Sequence, residues 1–534
     1  MDIQTENQKN KSAGRTLIRA GSTLSILTLV SRILGLLREM TKASLLGTTA
    51  LSDAFSVAFL IPNLFRRLFA EGSISVAFIP TFKEYLLEDN REKTKEFLSC
   101  FFTFLSFAVT VTVMAGILAT PLLVSLFGLT EFDETVFLTR LMFPFLGLIS
   151  IAAFFQGILN SHKIFTPSGL APILLNITTI LCAYGLKDLT GNPARAMAAG
   201  ILIGGFLEAA IQLPFVLKQS QRFFFVNIKK AFLNPGTRRV LFLIGPTILG
   251  MAAYQINDLV STALAGNAGE GIVSSLQYSL RMQELILGIF AVSIGTVLLP
   301  DLTEHAKSLR WDVFSQRLLS AMNIIALVTI PITFFFMARG ESLIRLIFQT
   351  RSFDEESVRL TLSAFMFHMP GLYFIALNRI LAPAFYAQSN TKSPTFAGLI
   401  SFGINITAAF ILVSRFKGAG IAFALSLASM ANTIALLVFL RKNPNIVLGP
   451  MVKTAMLYSI KLIVFSSIAV IPVLLLGDSL EAFFSGCGRI IGIGLPLFIM
   501  ALFFGFIGVL LLIITKDKQI GALLNMIQKK NKVL

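Results

Sequence analysis

The sequence predicts an all-α polytopic membrane protein. It would have about 14 transmembrane helices, arranged as two six-helix lobes related by a parallel pseudo-two-fold repeat, plus two extra C-terminal helices. Three observations carry this reading. Apolar residues make up 55% of the 534 and charged residues only 14%, against about 25% charged in soluble domains. The apolar residues fall in runs long enough to cross a bilayer, each needing about 20 residues. Short strings recur six runs apart. The same composition excludes a soluble enzyme, and a disordered chain would not keep 50 Phe in water.

The runs lie at 20–41, 51–70, 98–127, 137–160, 168–187, 195–217, 240–264, 271–299, 318–338, 360–386, 395–414, 418–440, 454–476 and 488–515. No connection is long enough for a separate soluble domain, so any chemistry belongs inside the membrane or at its faces. The first 20 residues are polar and no small-residue cleavage site follows the first run. That run is therefore read as a retained helix and not as a signal peptide. The expected divisions are a cytoplasmic tail at 1–19, an N-lobe at 20–220, a C-lobe at 236–442, a helix pair at 450–515 and a basic cytoplasmic tail at 516–534.

The formal charge is +17. In a membrane protein basic residues gather on the cytoplasmic side, so this excess does not point to nucleic acid. The densest clusters are Lys9/Lys11/Arg15/Arg19, Lys218 to Arg239 and Lys516 to Lys532. All fall on one side of the expected topology, which places both termini in the cytoplasm. Cys100, Cys182 and Cys487 are isolated, and His162, His305 and His368 have no metal-ligand spacing. No GxxxxGK[ST] or HExxH string occurs, so neither a P-loop nor a zinc-protease site is expected.

The repeat is read from two echoes. Ser73-Ile-Ser-Val-Ala-Phe-Ile-Pro80 matches Ser293-Ile-Gly-Thr-Val-Leu-Leu-Pro300, and Pro167…Asn176-Ile-Thr178 matches Pro394…Asn405-Ile-Thr407. A displacement of six helices preserves orientation, as in two-lobed transporters whose halves are related by an axis along the membrane normal.

Ionisable groups inside the spans are the functional candidates, because Arg or Lys at the bilayer centre costs about 2.5–3.5 kcal/mol on insertion scales. In the first span Ser25, Thr28, Ser31/Arg32, Gly35 and Arg38/Glu39 recur at helical spacing and form one polar stripe. Arg32 would lie about 18 Å deep at 1.5 Å per residue. In the eighth span Ser274, Gln277/Tyr278, Arg281, Glu284 and Gly288 share a face; a structural Arg281–Glu284 pair is the other reading. Asp258 in the seventh span is read as balancing an arginine or holding a cation, with a purely structural role as the alternative. Asp53 begins the second span and is read either as a helix cap or as a functional acid. Arg66 and Arg67 end that span, where a positive-inside flank is the alternative. Arginines outnumber acids in these spans. Planar guanidinium groups suit phosphate or carboxylate oxygens, so an anionic, phosphorylated ligand is expected.

Ser31-Arg-Ile-Leu-Gly-Leu-Leu-Arg38-Glu39, Ser52-Asp53-Ala-Phe55, Pro62-Asn-Leu-Phe-Arg-Arg-Leu-Phe-Ala-Glu-Gly72 and Ala77-Phe-Ile-Pro80 resemble the MurJ (MviN) family of bacterial lipid II flippases. Leu298-Leu-Pro300 and Leu381-Ala-Pro383 agree with it. The resemblance covers nearly the whole chain. It implies the multidrug/oligosaccharidyl-lipid/polysaccharide exporter fold, an inner-membrane transporter and no enzymatic activity. It also implies lipid II as cargo, membrane lipids as partners and a monomer. The implied substrate-binding residues are Arg32, Arg38, Arg281, Arg66, Asp53, Glu39 and Ser31. Where the family often has Asp after the second arginine of the first span, this chain has Glu39. The last two helices would take the undecaprenyl tail. Some members bind sodium, for which Asp258 and Asn405 are the nearest candidates; otherwise no cofactor is implied, and the membrane potential supplies a driving force. An exporter of another lipid-linked oligosaccharide or anionic amphiphile is the alternative.

Overall fold

The computed structural model describes residues 26–67, 77–219, 221–517 and 519–521, with side chains at 246–254 and 289–297 excepted. The tail at 1–19, the start of the first span, positions 73–76 of the first echo and the basic tail beyond 521 lie outside the described residues. The described residues are helical with no strand. Among the described residues eight helices are long and apolar enough to cross a membrane, or nine if one bent pair is a single span. By its contacts the chain divides into two compact units, one ending at Ser274 and one beginning at Ser275.

The first unit contains α1 (26–46), α2 (Ala50–Arg66), α3 (Ile79–Leu87), α4 (Arg91–Ser125), α5 (Phe132–Met142), α6 (Phe145–Ser161), α7 (Thr166–Gly185), α8 (Pro193–Lys218), α9 (Ile228–Leu233) and α10 (Pro235–Ala268). It ends in the first residues of α11 (Ile272–Lys307). Asparagine starts several of these helices. Asn90, Asn192 and Asn234 each accept a hydrogen bond from the backbone N–H three residues on, satisfying one of the orphan donors of a first turn. The single run expected at 137–160 is interrupted at Phe143–Pro144, which separates α5 from α6. Proline removes a backbone donor and crowds the preceding turn. The close packing of α7 and α8 depends on Gly200 and Gly204. A Cβ there would stand 2.8 Å from Thr179 Cα and 2.9 Å from Leu175 Cα, so only small residues let these backbones approach.

The second unit contains the rest of α11 and then α12 (Trp311–Phe348), α13 (Glu355–His368), α14 (Gly371–Tyr386), α15 (Lys392–Leu440), α16 (Leu448–Phe484) and α17 (Leu495–Ile514). α13 and α14 meet at a 48° bend beside Pro370. As a straight rod α15 would run about 74 Å at 1.5 Å per residue, far beyond a bilayer. It turns at Lys417, where φ is 47°, so its two arms match the expected runs at 395–414 and 418–440. α12 leaves helical geometry at Arg339 (φ −129°, ψ 25°). That buried guanidinium crosses to α16, donating to Asp478 Oδ1 at 2.6 Å and to the Val473 carbonyl at 3.2 Å. It occupies the space over Gly477, where a Cβ would collide with it. α16 and α17 carry exposed Leu474, Leu475, Phe498 and Phe506, the surface expected of helices that face hydrocarbon.

Candidate functional site

The polar stripe of α1 is shared between two neighbours. Ser31 and Gly35 face α7: Asn176 donates from Nδ2 to the Ser31 carbonyl at 3.3 Å, and a Cβ on Gly35 would sit 3.9 Å from the same nitrogen. Arg32 is half-buried. Further along, Arg38 and Glu39 form an ion pair at 3.0 Å with 14% and 11% of their side chains exposed. The Arg38 guanidinium lies 5.7 Å from the ring centre of Phe59 in α2, a cation–π distance. Glutamate in place of aspartate thus keeps a pairing with the adjacent arginine.

One turn later the stripe reaches a buried polar layer between α1 and α2. Lys42 donates to Ser56 Oγ at 2.5 Å, and Ser56 donates to the Ser52 carbonyl at 2.7 Å. Lys42 is 3% exposed and Asp53 1%. Asp53 does not cap its own helix. Thr49 does that, its Oγ1 accepting from Ser52 N at 3.4 Å. The Asp53 carboxylate instead accepts from the backbone N–H of Gly271 at 2.7 Å and of Ser274 at 2.8 Å. These amides open α11, where unpaired N–H groups and the positive end of the helix dipole favour an anion. The exchange is mutual, for Glu270 Oε1 accepts from Ala50 N at 2.9 Å, at the first residue of α2. The turn that allows this uses glycine at two left-handed positions, Gly269 (φ 140°) and Gly271 (φ 76°), a conformation glycine adopts without steric cost.

At the other end of α2, Arg66 donates from Nε to Asn63 Oδ1 at 2.7 Å. Arg67, its neighbour, faces Asp258 of α10 at 3.9 Å, with both side chains partly open to solvent. In the second unit Arg281 pairs with Glu284 at 2.9 Å, and both remain accessible. The expected face of α11 is split. Arg281, Glu284 and Gly288 share the more open side, whereas Tyr278 is fully buried against Phe348 and Phe353. Ser279 and Gln283 fix the buried side by hydrogen bonding His368 of α13, at Nδ1 (2.7 Å) and at its carbonyl (2.5 Å). Asn405 is buried in α15. Among the described residues no group of three or more His, Cys, Asp or Glu is placed to hold a metal ion, and the Asp258 carboxylate faces an arginine.

The lipid II flippase MurJ family model matches residues 42–491. The chain belongs to the MurJ family. It is accordingly a transporter and not an enzyme. A Treponema pallidum (strain Nichols) protein named probable lipid II flippase MurJ is 46% identical over 516 residues, covering 96% of this chain and 97% of that protein. The lipid II flippase MurJ of Burkholderia cenocepacia is 32% identical over 443 residues, covering 80% and 84%. Among solved structures, a lipid II flippase MurJ in an inward closed conformation superposes with a TM-score of 0.77 at 25% identity, covering 92% of this chain and 99% of that one. An inward-facing MATE-family multidrug transporter of the MOP superfamily shares the fold at a TM-score of 0.67 and 15% identity. Within this MurJ chain, Lys42 and Glu270 are polar participants that composition and spacing did not single out. Lys42 had a signal, falling three and four residues after Glu39 and Arg38 on the same stripe. Glu270 had only its place between two glycines before a helix.

Proposed function

We propose that the chain moves lipid II from the cytoplasmic to the periplasmic leaflet by alternating access, with both termini cytoplasmic. The observation that carries this reading is the family match over residues 42–491, and the arginines of α1 and α11 are consistent with an anionic cargo. In the proposed cycle Arg32, Arg38 and Arg281 receive the diphosphate of the head group. Arg38 arrives already paired with Glu39 and Arg281 with Glu284. A diphosphate competes with those carboxylates for the same guanidinium N–H groups and, as a bidentate acceptor, suits their planar fork. Ser31 and Asn176 hold α1 in register. Arg66 acts at the cytoplasmic end of α2. The lipid tail stays in the bilayer along α16 and α17.

The mutual capping of α2 and α11 acts as the outer latch: it is formed while the cavity is open to the cytoplasm and released when the cargo leaves. The lobes of the cycle are 20–220 and 236–442. Outward movement of a polyanionic head is favoured by an interior-negative potential, worth about 2.3 kcal/mol per charge per 100 mV.

The test is lipid II flipping in proteoliposomes. Arg32→Ala and Arg281→Ala should abolish transport in folded protein, and Arg32→Lys should restore little of it. Dissipating an imposed potential should slow the wild type. Full transport by Arg32→Ala and Arg281→Ala would remove the anion site from the proposal.

A further inference from the structure

We propose that Lys42 is a positioning residue that makes the Asp53 contact reversible: its ammonium holds the Asp53 carboxylate when the start of α11 moves away. The inference rests on the alternating-access reading only in making that movement part of transport.

Both Asp53 oxygens are engaged by α11 amides, at 2.7 and 2.8 Å, and the side chain is 1% exposed. Withdrawing α11 removes two donors at once. A carboxylate left in a dry site without donors is heavily penalised, so without a replacement partner the latch would stay shut. Lys42 meets the requirements for that partner. It is buried, and its Nζ already reaches α2 at Ser56, one turn from Asp53 on the same helix face. Its charge attracts Asp53 in the present arrangement. An ammonium carries three donors on a flexible stem, so it can keep Ser56 while turning another N–H to the carboxylate. Lys42 and Asp53 also travel together, because only residues 47–49 separate α1 from α2.

Hydrogen exchange of the 269–276 peptide, read by mass spectrometry on the full chain in nanodiscs, tests this directly. Lys42→Met should slow exchange of the Gly271 and Ser274 amides by about tenfold, the cost of a lost charge-assisted hydrogen bond in the open state. Lys42→Arg should exchange like the wild type. In an Asp53→Asn background Lys42→Met should have no effect, because the charge that needs a partner is gone. If Lys42→Met loses its fold in a melting assay, Lys42→Gln replaces it with the same expected slowing. Wild-type or faster exchange in the uncharged variant overturns the proposal, as does equal slowing in the Asp53→Asn background. Because the measurement uses no lipid II, a wild type that fails to flip lipid II would overturn the transport reading and leave this result standing.

Discussion

Asp53 and Glu270 cap each other's helices. Asp53 of α2 takes the amides that open α11, and Glu270, just before α11, takes the first amide of α2. The two ends of this exchange differ in burial, since Asp53 is sealed and the Glu270 contact is exposed. Asp53→Ala strands two buried N–H groups and should cost about 2–4 kcal/mol. Glu270→Ala removes an exposed cap and should cost about 0.5–1 kcal/mol. Thermal unfolding in detergent compares them, and equal losses would contradict the asymmetry.

A second prediction concerns the far end of the chain. Lys461 of α16 donates to Asp517 at 2.7 Å, just beyond α17, and Asp517 also accepts from the Gln519 amide at 3.0 Å. Burial pushes the Asp517 carboxyl up, but the Lys461 hydrogen bond and the backbone amides outweigh it and hold the group below its ordinary range. A folded-state value below the unfolded one adds stability that is complete above the ordinary aspartate range. That stability is lost as acid protonates the folded carboxyl. Asp517→Asn should therefore lower the melting temperature at neutral pH, by the equivalent of about 1–2 kcal/mol. The gap between variant and wild type should close in strong acid.

Gly477 offers a third. A methyl group there would enter the volume of the Arg339 guanidinium, so Gly477→Ala should destabilise by about 1–3 kcal/mol, the usual range for overpacking. Shortening the arginine makes room, and Gly477→Ala combined with Arg339→Ala should be less than additive. Additive losses in melting experiments would mean that the guanidinium moves aside freely.

The helices were legible because long apolar runs favour helical structure in lipid, and each expected run overlaps a helix, although among the described residues eight or nine are long and apolar enough to cross a membrane. The break at Pro144 and the bend at Pro370 were not, since counting apolar residues does not register a lost hydrogen bond. In the site, Arg38 and Glu39 were readable as adjacent opposite charges, and the Arg281–Glu284 pair as one helical turn. The partners of Asp53 were not readable. Gly271 and Ser274 lie more than two hundred residues away, and the donors are backbone amides, which every sequence position but proline provides. Lys42 escaped notice because a lone lysine near a helix end ordinarily snorkels to water.

The turn at Lys417 joins the two arms of α15 through a single non-helical residue. A joint so short has no slack. Twisting one arm about its axis drags the other with it, and the pair behaves as one crank. An antibody or a protease finds no loop to grasp there, and an inserted tag would have to unwind a helix to be accommodated.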